Sequence, residues 1–237
     1  MNNPKILESA CFSYPKSKAK ENQDSILAPV QVQHYLYMAI ADGVGGEYGG
    51  AIASSLAINT IRREIYRNPE SNIKELFSLV QMSISDEASN NEILRCMATT
   101  LVICKISPNC IEIGSTGDSR AYFFDFDEPK ILSKDHTEKQ MLIDRQIFTE
   151  EDFNSSDAGK NLTSAINAQP NFELSYEQLP VSSGNVILMT DGTYQLIDIR
   201  TIVNQENHDL LKICSSIKQE IEKLTAKDDF SMVAMKF

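Results

Sequence analysis

The sequence predicts an α+β fold built on antiparallel sheet, from the grouping of its strands and the placing of its helices. Apolar strand-like runs fall at Leu36–Ala41, Thr99–Ile106, Cys110–Gly114, Ala121–Phe124, Val186–Thr190 and Phe230–Lys236. Helical periodicity is gathered between these groups and does not alternate with single strands, which disfavours a parallel doubly wound sheet. In a first helix Ala51, Ser54, Ile58, Ile61 and Ile65 recur at three-four spacing on one face. Ile73, Leu76, Val80 and Ile84 do the same in a second helix after the break at Asn68-Pro69. A third, near the C-terminus, carries Leu210, Cys214, Ile217, Ile221 and Leu224 on one stripe. Ser107-Pro108-Asn109 is a hairpin signal between two strands. The polar stretch 137–161, in which Thr149-Glu150-Glu151-Asp152 opens a short helix, reads as a surface flap. Such insertions commonly carry substrate contacts.

Composition narrows the class. Over 237 residues, 42% hydrophobic and 23% charged content supports a sizeable core, and no repeat or linker divides the chain. One domain over residues 1–237 is therefore expected, as a monomer by default. No apolar run reaches membrane-spanning length and the N-terminus lacks a signal-peptide pattern, so a soluble cytoplasmic protein with no membrane partner is expected. The five cysteines are odd in number, lack a Cys-x-x-Cys pair and lie mostly in apolar runs. They read as buried free thiols, and no Cys/His cluster has zinc-ligand spacing. The net charge of −11 argues against a nucleic-acid partner.

Part of that charge forms a pattern. Four segments end an apolar strand with an aspartate: Asp42 before Gly43, Asp118 after Gly117, Asp191 before Gly192, and Asp228-Asp229 just ahead of Phe230. Strand ends hold side chains rigidly, and antiparallel neighbours can aim several at one place. Converging aspartates without His or Cys suit hard, oxygen-seeking cations, Mg²⁺ or Mn²⁺. Asp-Gly is also ordinary turn chemistry, so the spacing alone leaves a metal site and a set of turns both open.

Eight short motifs then appear in order: Asn22-Gln23-Asp24, Ala41-Asp42-Gly43-Val44-Gly45-Gly46, Thr99-Thr100-Leu101-Val102, Gly117-Asp118-Ser119-Arg120-Ala121, Ser133-Lys134-Asp135-His136-Thr137, Leu162-Thr163-Ser164-Ala165, Thr190-Asp191-Gly192 and Asp228-Asp229-Phe230-Ser231. Each alone is weak, but their register from about residue 8 to the C-terminus resembles the metal-dependent protein phosphatases of type 2C (the PPM family), in their compact bacterial-like form.

The resemblance implies a central antiparallel β-sandwich flanked by helices on both faces, with the metal centre at one edge. It implies two core Mn²⁺ or Mg²⁺ ions and a possible third. Asp42 would bridge the core pair and the Gly43 carbonyl would bind one of them. Asp191 and Asp228 would hold the other, Asp118 would serve a third, and Asp24 would support the centre. The implied activity is hydrolysis of phosphoserine and phosphothreonine in proteins, kinases or their substrates, by direct attack of a metal-activated water and without a phospho-enzyme. Gly43, Gly45 and Gly46 fit close backbone approach to a metal better than a phosphate loop, since no Gly-Lys-Ser/Thr follows. His136 reads as a structural hydrogen-bonder.

The pattern is broken in places. The family's phosphate-binding arginine is replaced by Ala19, flanked by Lys18 and Lys20, which offer charge but not a bidentate fork. Gln23 stands for the usual glutamate, Ala98 for a glycine, Asp229 for an asparagine, and Ala165-Ile166-Asn167 for Ala-Leu-Gly. None removes a proposed first ligand. The rival reading is a pseudophosphatase that binds phosphoproteins without hydrolysing them, favoured by Ala19 and Gln23. A two-metal phosphodiesterase or nuclease fits the carboxylates but neither the charge nor the motif order.

Overall fold

The structure is a computed structural model describing residues 3–44, 46–125, 128–153, 159–181, 183–224 and 226–237, with the side chains of residues 46–48 outside the description. In chain order the strands are β1 (Glu8–Tyr14), β2 (Asp24–Val32), β3 (Tyr35–Val44), β4 (Ala98–Thr99), β5 (Leu101–Ile106), β6 (Cys110–Thr116), β7 (Arg120–Phe124), β8 (Lys130–Ile131), β9 (Ile166–Asn167), β10 (Ser175–Pro180), β11 (Asn185–Met189) and β12 (Phe230–Lys236). The helices are α1 (Gly46–Arg67), α2 (Ile73–Asn90), α3 (Glu138–Asp144), α4 (Asp191–Tyr194), α5 (Ile199–Gln205) and α6 (Leu210–Lys223), with short 3₁₀ turns at Glu92–Leu94 and Glu150–Phe153. All named strand pairings are antiparallel.

One sheet runs β1-β12-β11-β7-β8; the other runs β10-β6-β5-β3-β4-β9, with β2 paired to β3. Strand alternation sorts the core into layers. Leu36, Met38 and Ile40 of β3 face Leu188 of β11 and Val233 of β12 between the sheets. Tyr37, Ala39 and Ala41, one residue out of phase, pack instead on Ile61, Leu76 and Phe77 of α1 and α2. Ile187, Met189 and Met232 face the opposite way, onto Ile202, Ile213 and Ile217 of α5 and α6. The central strands are buried on both faces, which is why they read as continuous apolar runs. The expected helix-flanked sandwich is the architecture found.

The helices begin where their side chains can cap them. Asn72 and Glu75 form a reciprocal capping box on α2, and Asp209 caps α6 by accepting from the Lys212 N–H. The three expected stripes are buried except at two ends: Ala51 is half-buried, and Leu224 lies past the close of α6 and is exposed. Cys11 and Cys96 are exposed free thiols, against the expectation of burial, while Cys104 and Cys214 are buried. Among the described residues no helix is long and apolar enough to cross a membrane.

Candidate metal centre

Asp42 lies inside β3, two residues short of its end, directly opposite Asp24 of β2. Its backbone is locked by the neighbouring Thr-Thr pair. The Asp42 N–H donates to Thr100 Oγ1 (3.0 Å), and its carbonyl accepts from the Thr100 N–H (2.8 Å) and from Thr99 Oγ1 (2.9 Å). Thr100 Oγ1 also bonds Ser119 Oγ at 2.9 Å, tying the Asp118 loop to the same spot. Gly43 meets Gly50 of α1 so closely that a Cβ on Gly43 would strike the Gly50 carbonyl. Packing against α1 is thus what demands glycine there; Gly45 lies outside the described residues.

Asp191 opens α4 immediately after β11. Thr190 before it donates to Asp24 Oδ2 (3.0 Å) and accepts from the Ser231 N–H (3.0 Å), stitching β11, β12 and β2 together. Gly192 packs on the Asp229 carbonyl, where any side chain would clash, and this brings Asp191 beside Asp228. Asp228 and Asp229 then divide the work. Buried Asp229 accepts from the backbone N–H groups of Lys16 (2.8 Å) and Gln23 (2.7 Å), pinning the 16–23 loop. Exposed Asp228 pairs with Lys16 Nζ at 3.2 Å.

The electrostatics are those of crowded carboxylates. Burial, then the fields of Asp24, Asp191, Asp118 and Asp228, push Asp42 well above the carboxylate range. Burial raises Asp24 to about 7 against the hydrogen bonds from Ser231 and Thr190. Burial and Asp191 raise Asp118 to about 7, and burial and Asp228 raise Asp191. Burial opposes charge on Lys16, but its bond to Asp228 and the fields of Asp229 and Asp42 outweigh it and hold the ammonium charged.

The donor set fits a hard cation. Asp24 Oδ1 and Asp191 Oδ1 are buried without a hydrogen-bond partner, an arrangement costly unless a cation meets them. The gathered atoms are carboxylate and carbonyl oxygens. His136 is committed elsewhere, accepting from the Gly117 N–H on Nδ1 (3.1 Å) and bonding Ser175 Oγ through Nε2 (3.0 Å). Among the described residues no three His, Cys, Asp or Glu side chains close around one point. An ion here would therefore complete its coordination with water, as Mg²⁺-like ions do.

The structure therefore brings together Asp24, Asp42, Gly43, Asp118, Asp191 and Asp228. It does not single out Lys18 or Lys20. The lysine seen on the carboxylates is Lys16, which sequence reasoning missed because nothing local marks it; the Asp229 clamp over 200 residues away places it. Gln195 was missed too. It donates to Asp191 Oδ2 (3.0 Å) and accepts from Lys160 Nζ (3.3 Å), linking the flap to the centre. The expected helix at Thr149–Asp152 is a 3₁₀ turn with Asp152 Oδ2 accepting from the Thr149 N–H at 2.7 Å, and α3 was not foreseen. The tip of the flap, 154–158, lies outside the described residues.

Comparison with known proteins identifies the family. The chain is 30% identical over 138 residues to the serine/threonine protein phosphatase PstP of Mycobacterium tuberculosis, a match covering 56% of this chain and 26% of that protein. It is 24% identical over 199 residues to the protein phosphatase PhpP of Streptococcus pneumoniae, covering 80% and 81%. The crystal structure of the PstP catalytic domain in complex with two manganese ions superposes with a TM-score of 0.81 at 21% identity, over 98% of each chain. The sequence profile of protein phosphatase 2C matches residues 16–226, and this chain belongs to that family.

Proposed function

We propose that this protein is a metal-dependent protein serine/threonine phosphatase, with phosphoserine and phosphothreonine of kinases or kinase substrates as its targets. The observation that carries the reading is the convergence of Asp24, Asp42, Asp118 and Asp191 at a sandwich edge, two of them with buried unpaired oxygens. Asp42, Asp191 and Asp228 would hold one ion, Asp42 and the Gly43 carbonyl a second, and Asp118 a third. The cations, Mn²⁺ or Mg²⁺, would neutralise phosphoryl oxygens and lower the pKa of water there.

The chain's own residues supply positioning. Thr99 and Thr100 fix the Asp42 backbone, and Thr190 holds Asp24 against β11. Asp229 fixes the root of Lys16, whose exposed ammonium would take the place of the family arginine as the cation facing a substrate phosphate. A point charge binds phosphate with less geometric constraint than a guanidinium fork. The partly exposed Asp42 and Asp191 leave the edge open, as access by a loop or tail of a partner protein requires.

The test is hydrolysis of p-nitrophenyl phosphate and a phosphothreonine peptide with Mn²⁺, with EDTA and Asp191→Ala as controls. Mn²⁺-dependent turnover lost in both controls is the expected result. Metal binding by calorimetry without turnover on either substrate would replace this reading with the phosphoprotein-binding one that Ala19 and Gln23 favour.

A further inference from the structure

Asp118 stands half-buried between two buried neighbours, Gly117 and Ser119, and each neighbour is held separately. On the C-terminal side Ser119 Oγ bonds Thr100 Oγ1 at 2.9 Å. On the N-terminal side both backbone polar groups of Gly117 go to one residue, His136. The Gly117 N–H donates to His136 Nδ1 (3.1 Å), and the His136 N–H donates back to the Gly117 carbonyl (2.8 Å). Gly117 turns here at φ 89°, so the reciprocal pair closes on the bend just ahead of Asp118.

The imidazole is fixed on its other side as well. A backbone N–H can only donate, so Nδ1 is the unprotonated nitrogen and Nε2 carries the hydrogen. Nε2 therefore donates to Ser175 Oγ (3.0 Å), at the start of β10. His136 is 3% exposed, and burial lowers its pKa, favouring this neutral ring. The same residue stands at the neck of the flap. Its carbonyl accepts from the Thr163 N–H (2.8 Å), and the next residue, Thr137, bridges to Leu162. One step further the Glu138 N–H donates to the Asn161 carbonyl (3.0 Å). His136 thus bonds the turn before Asp118, the edge strand β10 and the returning side of the flap's neck.

We propose, on the metal-centre reading given above, that His136 is a positioning residue for Asp118. Its Nδ1 lone pair holds the Gly117 turn and so keeps the Asp118 carboxylate where a cation meets it. A residue that only filled space would need no lone pair there. Here the buried Gly117 N–H donates to that nitrogen, and removing the acceptor strands the donor and loosens the turn. Partners one step behind a metal ligand govern its orientation in this way.

His136→Asn and His136→Gln separate the two halves of the ring. Asn offers an acceptor near the place of Nδ1 and Gln a donor near that of Nε2, so each keeps one contact and loses the other. Two measurements are made on both variants. One is NMR-detected hydrogen exchange of the Gly117 amide in the metal-free protein; the other is calorimetric Mn²⁺ titration, with Asp118→Ala marking the ion that Asp118 holds. In His136→Gln, exchange at Gly117 should quicken about tenfold and affinity for that ion should fall about tenfold. His136→Asn should stay within about twofold of the parent in both. Equal exchange and equal ion affinity in the two variants, whatever their loss of thermal stability, would make His136 a packing residue and overturn the proposal. A parent protein that takes up no Mn²⁺ would overturn the underlying metal reading instead. The two failures are distinguishable because Gly117 exchange needs neither metal nor phosphatase activity.

Discussion

Two sets of shielded charge in this molecule are handled in opposite ways. At one, Arg120 gives a bidentate fork to Asp135 (Nε–Oδ1 3.1 Å, Nη2–Oδ2 2.7 Å) and lays its guanidinium on the Tyr194 ring, 4.0 Å from the centroid. Lys105 is similarly satisfied, its Nζ bonding the carbonyls of Glu70 (3.2 Å) and Ser71 (2.8 Å) beside the rings of Tyr35 and Tyr37. At the other, Asp24, Asp42, Asp118 and Asp191 face one another, and the Lys16 ammonium nearby bonds Asp228. Charges that complete each other belong to the scaffold. Like charges held together at the expense of stability point to a cation supplied from outside.

The sharpest way to break the comparison is to remove one carboxylate from the crowded set. Asp191→Ala should lower Mn²⁺-dependent turnover by about a thousandfold or more while leaving the metal-free protein as stable or more so, because a repulsion is relieved. Activity assays and thermal melts of the same preparation check both halves. Loss of stability together with activity would place Asp191 in the scaffold class. The converse substitution, Arg120→Ala, strands Asp135 and should cost about 2–4 kcal/mol in denaturant unfolding, since the pair is only partly buried. Arg120→Lys should cost less but not be neutral, because the fork is lost.

Proton linkage sharpens the contrast. Asp24 and Asp118, raised from 3.8 to about 7, keep protons in the folded state that the unfolded chain has already released. Their contribution is full below pH 4 and drains away as pH rises through 7, so the metal-free protein should melt several degrees lower at pH 8 than at pH 5. Mn²⁺ should abolish or reverse that slope by binding the deprotonated carboxylates. A metal-free melting temperature that climbs over this range would contradict the reading. The smallest effect is expected from Lys16→Ala, a rise of about fivefold in KM for a phosphopeptide with kcat nearly unchanged. Calorimetric Mn²⁺ affinity should hold or tighten as Asp228 loses its counter-ion.

Legibility followed local chemistry. The central strands announced themselves because both faces are buried, whereas β10, with no buried residue and only Ser175 and Leu179 half-buried, gave no comparable signal. β2 was hidden for a related reason: a register shift between Leu27 and Val30, at Ala28-Pro29, interrupts its pairing with β3. The metal-centre aspartates were legible because each sits in a short motif. Lys16 was not, since its partners Asp228 and Asp229 lie more than 200 residues away, and Gln195 was not, because no motif marks it although Asp191 is only four residues before it.

By itself the sequence determined the class of fold, the family and the identity of the clustered carboxylates, because strand burial, helical stripes and Asp-Gly turns are written in consecutive residues. Only the tertiary structure decided that Asp229 is a clamp while Asp228 faces the centre, and that Lys16 reaches Asp228. It alone decided that Gly43 and Gly192 are glycines to admit the Gly50 and Asp229 backbones. The physical reason is common to all three. A side chain's role at a site is set by which backbone N–H groups and carbonyls arrive beside it, and those arrive from segments that only the packed sandwich brings together.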